Sequence, residues 1–279
     1  MKTILDLGIK VNSKIFTIAE IGINHGGDIE LAKKLIDSAV RAGVDAVKFQ
    51  TYLTEKRTKV GSPIFDILKK CELPFSAFKE LKEYSDTKGV IFFSTPFDEE
   101  SVEYLESIGV ELYKIASFDV VNAPFLEKVA KTGKPIIMSV GMSSLEEIRN
   151  ALNILKKYTS QIGLLHCISA YPTNEGDANL GAVLSLCDNF KDIVIGQSDH
   201  TNDIQVPLYA VASGAKILEK HFKISDDMEC IDGPVSISEK QMKNLVDGVR
   251  RLEKIMGDGI PKSTAAQKGT EQYRRFSQS

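Results

Sequence analysis

The sequence predicts an α/β fold, a (β/α)8 TIM barrel, from three observations. Short β-branched runs alternate with longer amphipathic segments, giving about eight β-then-α units without an obvious linker. The length of 279 residues suits one barrel-sized domain. No GxGxxG motif follows the first strand, which disfavours an open dinucleotide-binding sheet.

The strands are predicted from short runs rich in β-branched and other apolar residues. In chain order these runs are FTIAEIG, VDAVKF, VIFFS, ELYKIAS, KPIIMSV, QIGLLH, DIVIGQS and AKILEKH. If they pair in parallel around a barrel, their carboxyl ends share one mouth.

The helices are predicted from apolar positions that recur with helical spacing. The first begins after Asp28, a plausible N-cap, and ends before Gly43. Its apolar face comprises Ala32, Leu35, Ile36, Ala39 and Val40. Further helices are predicted in FSAFKELKEYSDTK, DEESVEYLESIG, APFLEKVAKTG, SLEEIRNALNILKKY and DIQVPLYAVASG.

Two helix starts have capping-box spacing, Ser144 to Glu147 and Ser238 to Gln241. The second begins the last helix, which should end at Gly257. One face of that helix is expected to be buried and comprises Met242, Leu245, Val246, Val249, Leu252 and Met256.

The two ends of the chain are predicted to lie outside the repeating units. The segment ILDLGIKV should form a short N-terminal strand or hairpin that closes the barrel bottom. The segment PKSTAAQKGTEQYRRFSQS should form a polar C-terminal tail. We therefore place the catalytic barrel at residues 1–260 and a tail, or truncated linker, at residues 261–279.

Composition excludes several classes of function. The chain is 43% hydrophobic and 26% charged, as in an ordinary soluble protein that buries a full core. Its net charge of -3 provides no basic field, so we expect no nucleic-acid partner. No stretch approaches the roughly 18 apolar residues that a membrane helix needs, so no membrane partner is expected.

The cysteines and the N-terminus both favour a cytoplasmic location. Cys71, Cys167, Cys187 and Cys230 are far apart and form no CxxC, which indicates reduced thiols. The first residues have no sustained apolar core and no small-residue cleavage site, so no signal peptide is predicted.

Polar side chains follow nearly every predicted strand, where the active site of such a barrel is built. In chain order they are Glu20, Asn24, Lys48, Gln50, Ser94, Thr95, Lys114, Ser117, Ser139, His166, Ser198, Asp199, His200, Glu219 and His221. A purely structural barrel has no reason to line one face so uniformly, so this pattern predicts an enzyme.

All four histidines follow apolar runs, and two of them close consecutive strands. His200 and His221 could bind one divalent ion and leave positions open for substrate and water. Neighbouring carboxylates favour this interpretation, because carboxylates commonly orient ligating histidines. The alternative is that each imidazole hydrogen-bonds a backbone carbonyl. His166 and His25 are weaker candidates and could equally be satisfied in the barrel rim.

Two lysines and several serines facing one cavity suit a small phosphorylated or carboxylated ligand. Lys48 and Lys114 supply positive charge, while the hydroxyls supply directional donors. The alternative is that either lysine is salt-bridged at a strand end, and that each serine caps a loop.

At these positions the chain resembles the sialic acid synthase family, meaning the N-acetylneuraminate synthases and their legionaminate, pseudaminate and spore-coat relatives. The matching segments occur in the family's order and extend from about Phe16 to Asp232. They are IAEIGINHGGDIELAKKLIDSAVRAGVDAVKFQT, FFSTPFD, YKIASFD, PIIMSVGMSS, LLHCISAYPT, IGQSDHT and LEKHF.

The resemblance implies a metal-dependent condensation of phosphoenolpyruvate with an open-chain, N-acylated sugar aldehyde, giving a nonulosonic acid and phosphate. It implies that His200 and His221 bind the metal, usually Mn²⁺, with Mg²⁺ or Co²⁺ as alternatives. The residues implied to hold phosphoenolpyruvate are Lys48, Lys114, Ser117, Ser139 and Ser198. Those implied to face the sugar or the water are Glu20, Gln50, Thr95, Tyr171, Glu219 and Asp232, of which Glu20, Glu219 and Asp232 are the catalytic candidates.

The sequence departs from the family pattern at three places. Ser169 stands where well-known members have Asn and is expected to bind substrate in its place. Asp232 lies in CIDGP where the family usually has Gly-Pro-Asp. Members usually continue into a small antifreeze-like domain that gives an arginine to the partner subunit's sugar pocket. This sequence stops at Ser279, so we expect that domain to be lacking, with Arg274 or Arg275 as candidates to replace its arginine.

Two alternative functions stay open. One is a Schiff-base aldolase on the same barrel, with Lys48 or Lys114 as the nucleophile. The other is a non-catalytic subunit that binds a sugar or another synthase subunit. For the leading hypothesis we expect a homo-oligomer, a dimer or tetramer, with a separate lid subunit as an alternative.

Overall fold

A computed structural model describes residues 14–275 and contains a closed barrel of eight parallel strands, in which β8 pairs with β1. The predicted (β/α)8 TIM barrel is confirmed. The strands are β1 Phe16–Gly22, β2 Ala46–Thr51, β3 Ile91–Pro96, β4 Tyr113–Ile115, β5 Ile136–Ser139, β6 Ile162–His166, β7 Val194–Asp199 and β8 Ile217–His221. Each falls within or overlaps a run from which it was predicted.

The part of the chain that the structure describes contains ten α-helices. They are α1 Ile29–Ala42, α2 Thr54–Arg57, α3 Phe65–Cys71, α4 Phe75–Lys88, α5 Glu99–Ser107, α6 Ala123–Ala130, α7 Leu145–Leu155, α8 Gly181–Asn189, α9 Gln205–Ala212 and α10 Glu239–Met256. Three of them, α2, α3 and α8, were not predicted. None of the three has a side-chain N-cap hydrogen bond, so the usual sequence signal for a helix start is missing.

Helix ends elsewhere follow their capping residues. Asp28 accepts hydrogen bonds from the backbone N–H groups of Glu30 and Leu31, and Gly43 ends α1 with φ of 85°. Both predicted capping boxes are present. The predicted apolar face of α10 is buried as far as Val249, but Met256 is exposed because the helix runs past the edge of the barrel.

The inside of the barrel is apolar at the bottom and polar at the top. The lower layer consists of Phe16, Ile18, Ala46, Phe93, Leu112, Ile137, Leu165, Val194 and Ile217. Side chains on a strand alternate between faces, so the residue two positions beyond each of these again points inward. Glu20 thus lies above Ile18, and Glu219 lies above Ile217.

The remaining expectations concern the chain ends. The predicted N-terminal strand or hairpin lies outside the described residues. The described part of the polar tail is exposed and contains two short 3-10 turns, Ala265–Gln267 and Glu271–Tyr273. Within residues 14–275, no helix is long and apolar enough to cross a membrane.

Candidate active site

A cavity of about 290 Å³ opens at the carboxyl ends of the strands. Every residue proposed from the sequence as catalytic, substrate-binding or metal-binding lines it. These are Glu20, Lys48, Gln50, Thr95, Lys114, Ser117, Ser139, Ser169, Tyr171, Ser198, His200, Glu219, His221 and Asp232. The structure therefore brings the whole predicted set together, whatever the role of each member.

Strand register explains why residues from distant parts of the sequence meet. Glu20 on β1 pairs in register with Lys48 on β2 and with His221 on β8. Ser198 on β7 pairs with Glu219 on β8. Residues in register lie at the same height in the barrel wall, so these side chains form one polar layer above the apolar one.

A buried ion-pair network forms the floor of the cavity. The Lys48 Nζ lies 2.7 Å from the Glu20 Oε2 and 3.7 Å from the Glu219 Oε2. The Lys114 Nζ lies 3.7 Å from the Glu219 Oε1 and donates a hydrogen bond of 2.6 Å to the Ser139 hydroxyl. Two ammonium groups therefore share one carboxylate and face the same small space.

The pKa values in this network follow from burial and from the neighbouring charges. Burial alone would raise the pKa of Glu219, but Lys114 and Lys48 lower it to about 2. Burial raises the pKa of Glu20, and Lys48 only partly offsets this rise. Burial lowers the pKa of Lys114 despite the nearby Glu219, whereas for Lys48 the charges of Glu20 and Glu219 outweigh burial and raise it.

Hydroxyl and amide groups line the side of the cavity beside Lys114. The backbone N–H of Gly141 donates to the Ser117 hydroxyl at 3.0 Å, and that hydroxyl also lies 3.0 Å from the Cys167 Sγ. A Cβ on Gly141 would lie 2.6 Å from the Ser169 Oγ, so only glycine fits here. Because Gly141 has no side chain, the Ser117 and Ser169 hydroxyls can lie close together and donate to the same ligand.

His200 is positioned as a neutral imidazole. Its Nδ1 lies 2.6 Å from the Ile168 carbonyl oxygen, which can only accept, so Nδ1 carries the hydrogen. Burial, together with the charge of His221, lowers the His200 pKa to about 3. The Nε2 lone pair therefore remains available for a ligand.

His221 lies beside His200 with a ring-centroid separation of 5.5 Å. Its Nδ1 lies 3.3 Å from the Asp232 Oδ2. Burial alone would lower the His221 pKa, but the charges of Asp232 and Glu20 outweigh it and raise the pKa. The Tyr171 ring stacks 4.2 Å from the His200 ring and meets His221 edge-on at 5.9 Å.

These donors fit a divalent metal held by two imidazoles. Among residues 14–275, no group of three or more His, Cys, Asp or Glu side chains is arranged to hold an ion. The His221 Nδ1 lies beside the Asp232 carboxylate, so its other ring nitrogen, Nε2, is the one that remains for a metal. Two protein ligands would leave positions open for substrate oxygens.

The other two histidines do not line the cavity. The Nε2–H of His166 donates to the Ala178 carbonyl at 2.8 Å. The Nδ1 of His25 accepts from the Gly27 backbone N–H at 3.1 Å, and its ring lies 6.0 Å from that of Phe49. The four histidines thus separate into a pair in the cavity and two that serve local structure.

Several cavity residues were not predicted as site residues. Arg57 is the most notable, together with Cys167, Ile23, Ile64, Phe97, Ala116 and Phe118. Arg57 lies on the short helix α2, away from any predicted strand end, so the strand-end rule could not find it. Neither Arg274 nor Arg275 lines the cavity.

Asn24 does not line the cavity, but it supports a loop that does. Its Nδ2 donates to the Phe222 carbonyl and to the Ser236 hydroxyl, both at 2.9 Å. Its Oδ1 accepts from the backbone N–H of Asp232 at 2.9 Å. Asn24 therefore holds the loop that brings Asp232 to His221.

Comparisons with known proteins identify relatives of this chain. Residues 35–261 match the NeuB family. The chain is 40% identical over 271 residues to the N,N'-diacetyllegionaminic acid synthase of Campylobacter jejuni, which covers 91% of this chain and 81% of that protein. It is 34% identical over 255 residues to the N-acetylneuraminate-9-phosphate synthase of Mus musculus. That match covers 87% of this chain and 71% of the mouse protein.

A solved structure shows the same architecture. It is the N-acetylneuraminic acid (sialic acid) synthetase of Leptospira borgpetersenii in complex with citrate, at a TM-score of 0.92 and 42% identity. The match covers 94% of this chain and 92% of that one. The resemblance proposed from the motifs is confirmed.

Proposed function

This chain belongs to the NeuB family of nonulosonic acid synthases, which condense phosphoenolpyruvate with a sugar, and we propose that it joins phosphoenolpyruvate to an open-chain, N-acylated sugar aldehyde. The products are a nonulosonic acid and phosphate. The observation that carries this proposal is that two lysines and two histidines line the same cavity. Lys48 and Lys114 lie at its floor, and His200 and His221 lie on its wall. Such an arrangement can bind an anion and an aldehyde side by side.

Phosphoenolpyruvate would lie over the lysines. Lys48 and Lys114 would offset the charges of its carboxylate and phosphate, while Ser117 and Ser139 would donate hydrogen bonds. Ser198 would line the same subsite, with its hydroxyl hydrogen directed to Glu219. Ser169 would stand beside Ser117 as a further donor. Glu219 fixes the lysines in this position because it is ion-paired with both and accepts from Ser198 at 2.8 Å.

The acceptor would lie toward the mouth, among Gln50, Thr95, Tyr171 and Asp232. When bound, a divalent metal, with Mn²⁺ expected and Mg²⁺ or Co²⁺ as alternatives, would be held by His200 and His221 and would polarise the aldehyde oxygen. Asp232 orients His221 through its carboxylate. The Gln50 Nε2 donates to the Glu20 Oε1 at 3.0 Å. This hydrogen bond links the proposed sugar-binding side of the cavity to the ion-pair network at its floor.

The reaction then balances as follows. The methylene carbon of phosphoenolpyruvate forms a bond to the aldehyde carbon, and the aldehyde oxygen takes up a proton. Water adds to the carbon that bears phosphate and loses one proton. The C–O bond to phosphate then breaks as the new hydroxyl becomes the ketone, and the hydroxyl proton passes to the departing phosphate. Glu20 suits these proton transfers because burial raises the pKa of its carboxyl above the ordinary value of 4.5, with Glu219 and Asp232 as the other candidates.

The test is a reconstitution with purified protein, phosphoenolpyruvate, Mn²⁺ and a panel of N-acylated hexosamines. We expect phosphate release that requires all three components, together with a product whose mass equals that of the acceptor plus pyruvate. Chelation should abolish turnover, and Mn²⁺ should restore it. Full activity after complete metal removal would refute the metal-dependent reaction.

One observation favours a second candidate, a Schiff-base aldolase. The lowered pKa of Lys114 increases the fraction of its amine that is unprotonated and nucleophilic. Borohydride in the presence of a carbonyl substrate would trap a covalent adduct at this lysine. An adduct located at Lys114 by mass spectrometry, with turnover that survives chelation, would establish the aldolase instead.

The organisation of the chain is proposed on the same basis. We propose that residues 1–260 form the catalytic barrel, that residues 261–279 form a tail, and that the protein acts in the cytoplasm. We also propose a homo-oligomer, with a separate lid subunit as the alternative, because apolar side chains are exposed at the mouth. They include Phe118, Val121, Met142, Tyr171 and Ile231. Sedimentation of the purified protein as a monomer, with full activity, would contradict both.

A further inference from the structure

Arg57 lies at the mouth of the cavity on a rigid support. Its backbone N–H donates to the Leu53 carbonyl at 3.0 Å, which closes the single turn of α2. Helix α2 is itself tied to its surroundings, since the backbone N–H of Thr54 donates to the Glu72 carboxylate at 2.8 Å. The base of the Arg57 side chain is therefore fixed.

The guanidinium group is held flat by aromatic rings. Its central carbon lies 3.8 Å from the centre of the Phe97 ring and 4.6 Å from that of Tyr52. The Tyr52 hydroxyl donates to the Leu68 carbonyl at 2.9 Å, and Tyr52 and Leu68 belong to a small apolar cluster under the mouth. An arginine stacked in this way is pre-organised and loses little entropy on binding a ligand.

Most of the donors of Arg57 have no protein partner. Its Nη1 donates to the Gln50 Oε1 at 2.9 Å, and this is its one side-chain hydrogen bond to residues 14–275. Within the same residues it makes no ion pair with a carboxylate. A half-buried guanidinium with five N–H groups and one partner is suited to donating to a bound molecule.

The surroundings indicate which chemical group it would bind. Asp232, Glu20 and Asp119 already act on Arg57 through their negative charge without touching it. A bound anion would lie close to these carboxylates and would be repelled by them, whereas a neutral group would not. Ile64 and Phe118 also line the cavity and provide apolar contact. A neutral group with one strong acceptor oxygen and a small apolar end, such as an N-acyl amide, matches both features.

We propose that Arg57 is a specificity-determining residue that donates hydrogen bonds to the carbonyl oxygen of the acceptor's N-acyl group. This inference rests on the proposed function and names the part of the substrate that the mouth recognises. The inner lysines bind phosphoenolpyruvate, so Arg57 acts on the acceptor alone. Gln50 couples the two sites because it contacts both Arg57 and Glu20.

The test compares Arg57→Met and Arg57→Lys with the wild type. Met keeps an apolar side chain on Phe97 but removes every donor, whereas Lys keeps the charge and loses the planar fork. The control is Lys56→Met on the same helix, because Lys56 is exposed and pairs with Glu100 at 3.1 Å. Acceptors are 2-acetamido-2-deoxyhexoses, their 6-phosphates and the matching hexoses without the acyl group.

For Arg57→Met we expect kcat/KM for the acetamido sugar to fall about 10- to 100-fold, as for the loss of a charge-assisted hydrogen bond. The KM for phosphoenolpyruvate should stay unchanged, and the preference for acylated over plain sugar should largely disappear. Arg57→Lys should fall in between, and Lys56→Met should match the wild type. An unchanged preference in Arg57→Met, or an equal rise in both KM values, would overturn the inference. A selective loss of activity on the 6-phosphates alone would also overturn it and indicate phosphate recognition.

A binding measurement separates this inference from the proposed reaction. Saturation-transfer NMR reports contact of the acetyl methyl group with the protein, with phosphoenolpyruvate present and metal withheld. We expect a methyl signal for the wild type and Lys56→Met that is lost in Arg57→Met, even if no turnover occurs with any acceptor. Equal methyl signals in wild type and Arg57→Met, or no signal in the wild type, would refute the role of Arg57.

Discussion

Histidines at similar sequence positions acquire different chemistry from their surroundings. His200 is kept neutral by burial, and its Nδ1–H is used on the Ile168 carbonyl, so Nε2 is the atom that can bind a metal. His166 uses its Nε2–H on the Ala178 carbonyl and lies outside the cavity. The difference arises from which strand face each residue occupies and which loop lies above it.

The first prediction concerns the two cavity histidines. His200→Ala and His221→Ala should each weaken Mn²⁺ binding at least about 100-fold, because a lost direct ligand should cost more than the roughly 10- to 100-fold typical of outer partners. Electron paramagnetic resonance of unbound Mn²⁺ measures this directly, and circular dichroism verifies the fold. His166→Gln is the matched control and should leave the affinity unchanged. Normal Mn²⁺ affinity in both alanine variants would exclude these residues as ligands.

Individual site residues could be predicted from sequence where one rule applied to all of them. Glu20, Lys48 and Glu219 follow apolar runs with the alternation of a strand, so their place at the mouth follows from the barrel alone. Arg57 could not be predicted this way. Its position depends on stacking against Phe97, a residue from the end of a different strand, and no local pattern encodes that contact.

At the scale of elements, the ends of β7 and β8 are joined on both faces. Inside the barrel, the Ser198 hydroxyl donates to Glu219 at 2.8 Å. Outside it, the Lys220 Nζ lies 2.6 Å from the Asp199 Oδ2, and both side chains are almost fully buried. Asp199 and Lys220 are in register and immediately precede His200 and His221. The buried pair therefore fixes the separation of the two histidines.

Breaking this pair should affect both stability and metal binding. Lys220→Met leaves a buried carboxylate without its counterion and should destabilise the protein by about 3–5 kcal/mol. The strand ends would shift, so Mn²⁺ affinity should fall about 10- to 100-fold. The double variant Asp199→Leu/Lys220→Met removes both charges and should recover most of the stability. Its Mn²⁺ affinity should stay low, because the link between the strands is still missing.

Denaturant unfolding and Mn²⁺ titration on the same samples separate the two effects. A purely structural role for the pair predicts that affinity returns together with stability in the double variant, and this result would refute positioning. KM for phosphoenolpyruvate gives a further readout. It should change little, because Lys48 and Lys114 are held by Glu20, Glu219 and Ser139 rather than by the outer pair.

The helices that begin with a side-chain cap were all predicted, and the three helices that were not predicted all lack one. Helices α1 and α7 begin at Asp28 and Ser144, whose side chains accept backbone hydrogen bonds. Helix α8 begins at Gly181 without such a bond and packs against β6 and β7. Tertiary packing therefore stabilises α8, although its local sequence contains no signal for a helix start.

At the scale of the whole molecule, the barrel closes where β1 meets β8, and α10 packs beside α1 across this junction. The eightfold repeat made that closure predictable, since eight units of this length favour a barrel over an open sheet. The repeat does not specify how the first strand is joined to the last helix of the barrel. Asp45 performs this task. It accepts from the Thr17 backbone N–H and hydroxyl, both at 2.8 Å, and pairs with Arg250 on α10 at 3.0 Å.

Asp45 should therefore make the stability of the barrel depend on pH. Burial alone would raise its pKa, but hydrogen bonds from Lys14 and Thr17 and the charge of Arg250 outweigh burial and lower it below its ordinary value of 3.8. A carboxyl with a lowered folded pKa contributes stability that is fully present above its unfolded pKa. That contribution is lost as the pH falls through the folded pKa, since protonation removes the ion pairs.

Asp45→Asn should accordingly lower the free energy of unfolding by about 1–3 kcal/mol near pH 7, as for charge-assisted hydrogen bonds. The difference from wild type should shrink as the pH falls below about 4, because the wild-type carboxyl also becomes neutral. Asp247→Asn on α10 is the control. Its carboxylate pairs with Lys243 at 3.0 Å on the exposed surface, where such pairs contribute little, so it should match wild type at every pH. Urea unfolding of the three proteins across this range gives the result. A deficit in Asp45→Asn that is equally large near pH 7 and near pH 3 would show that the charge of Asp45 does not fasten the barrel ends.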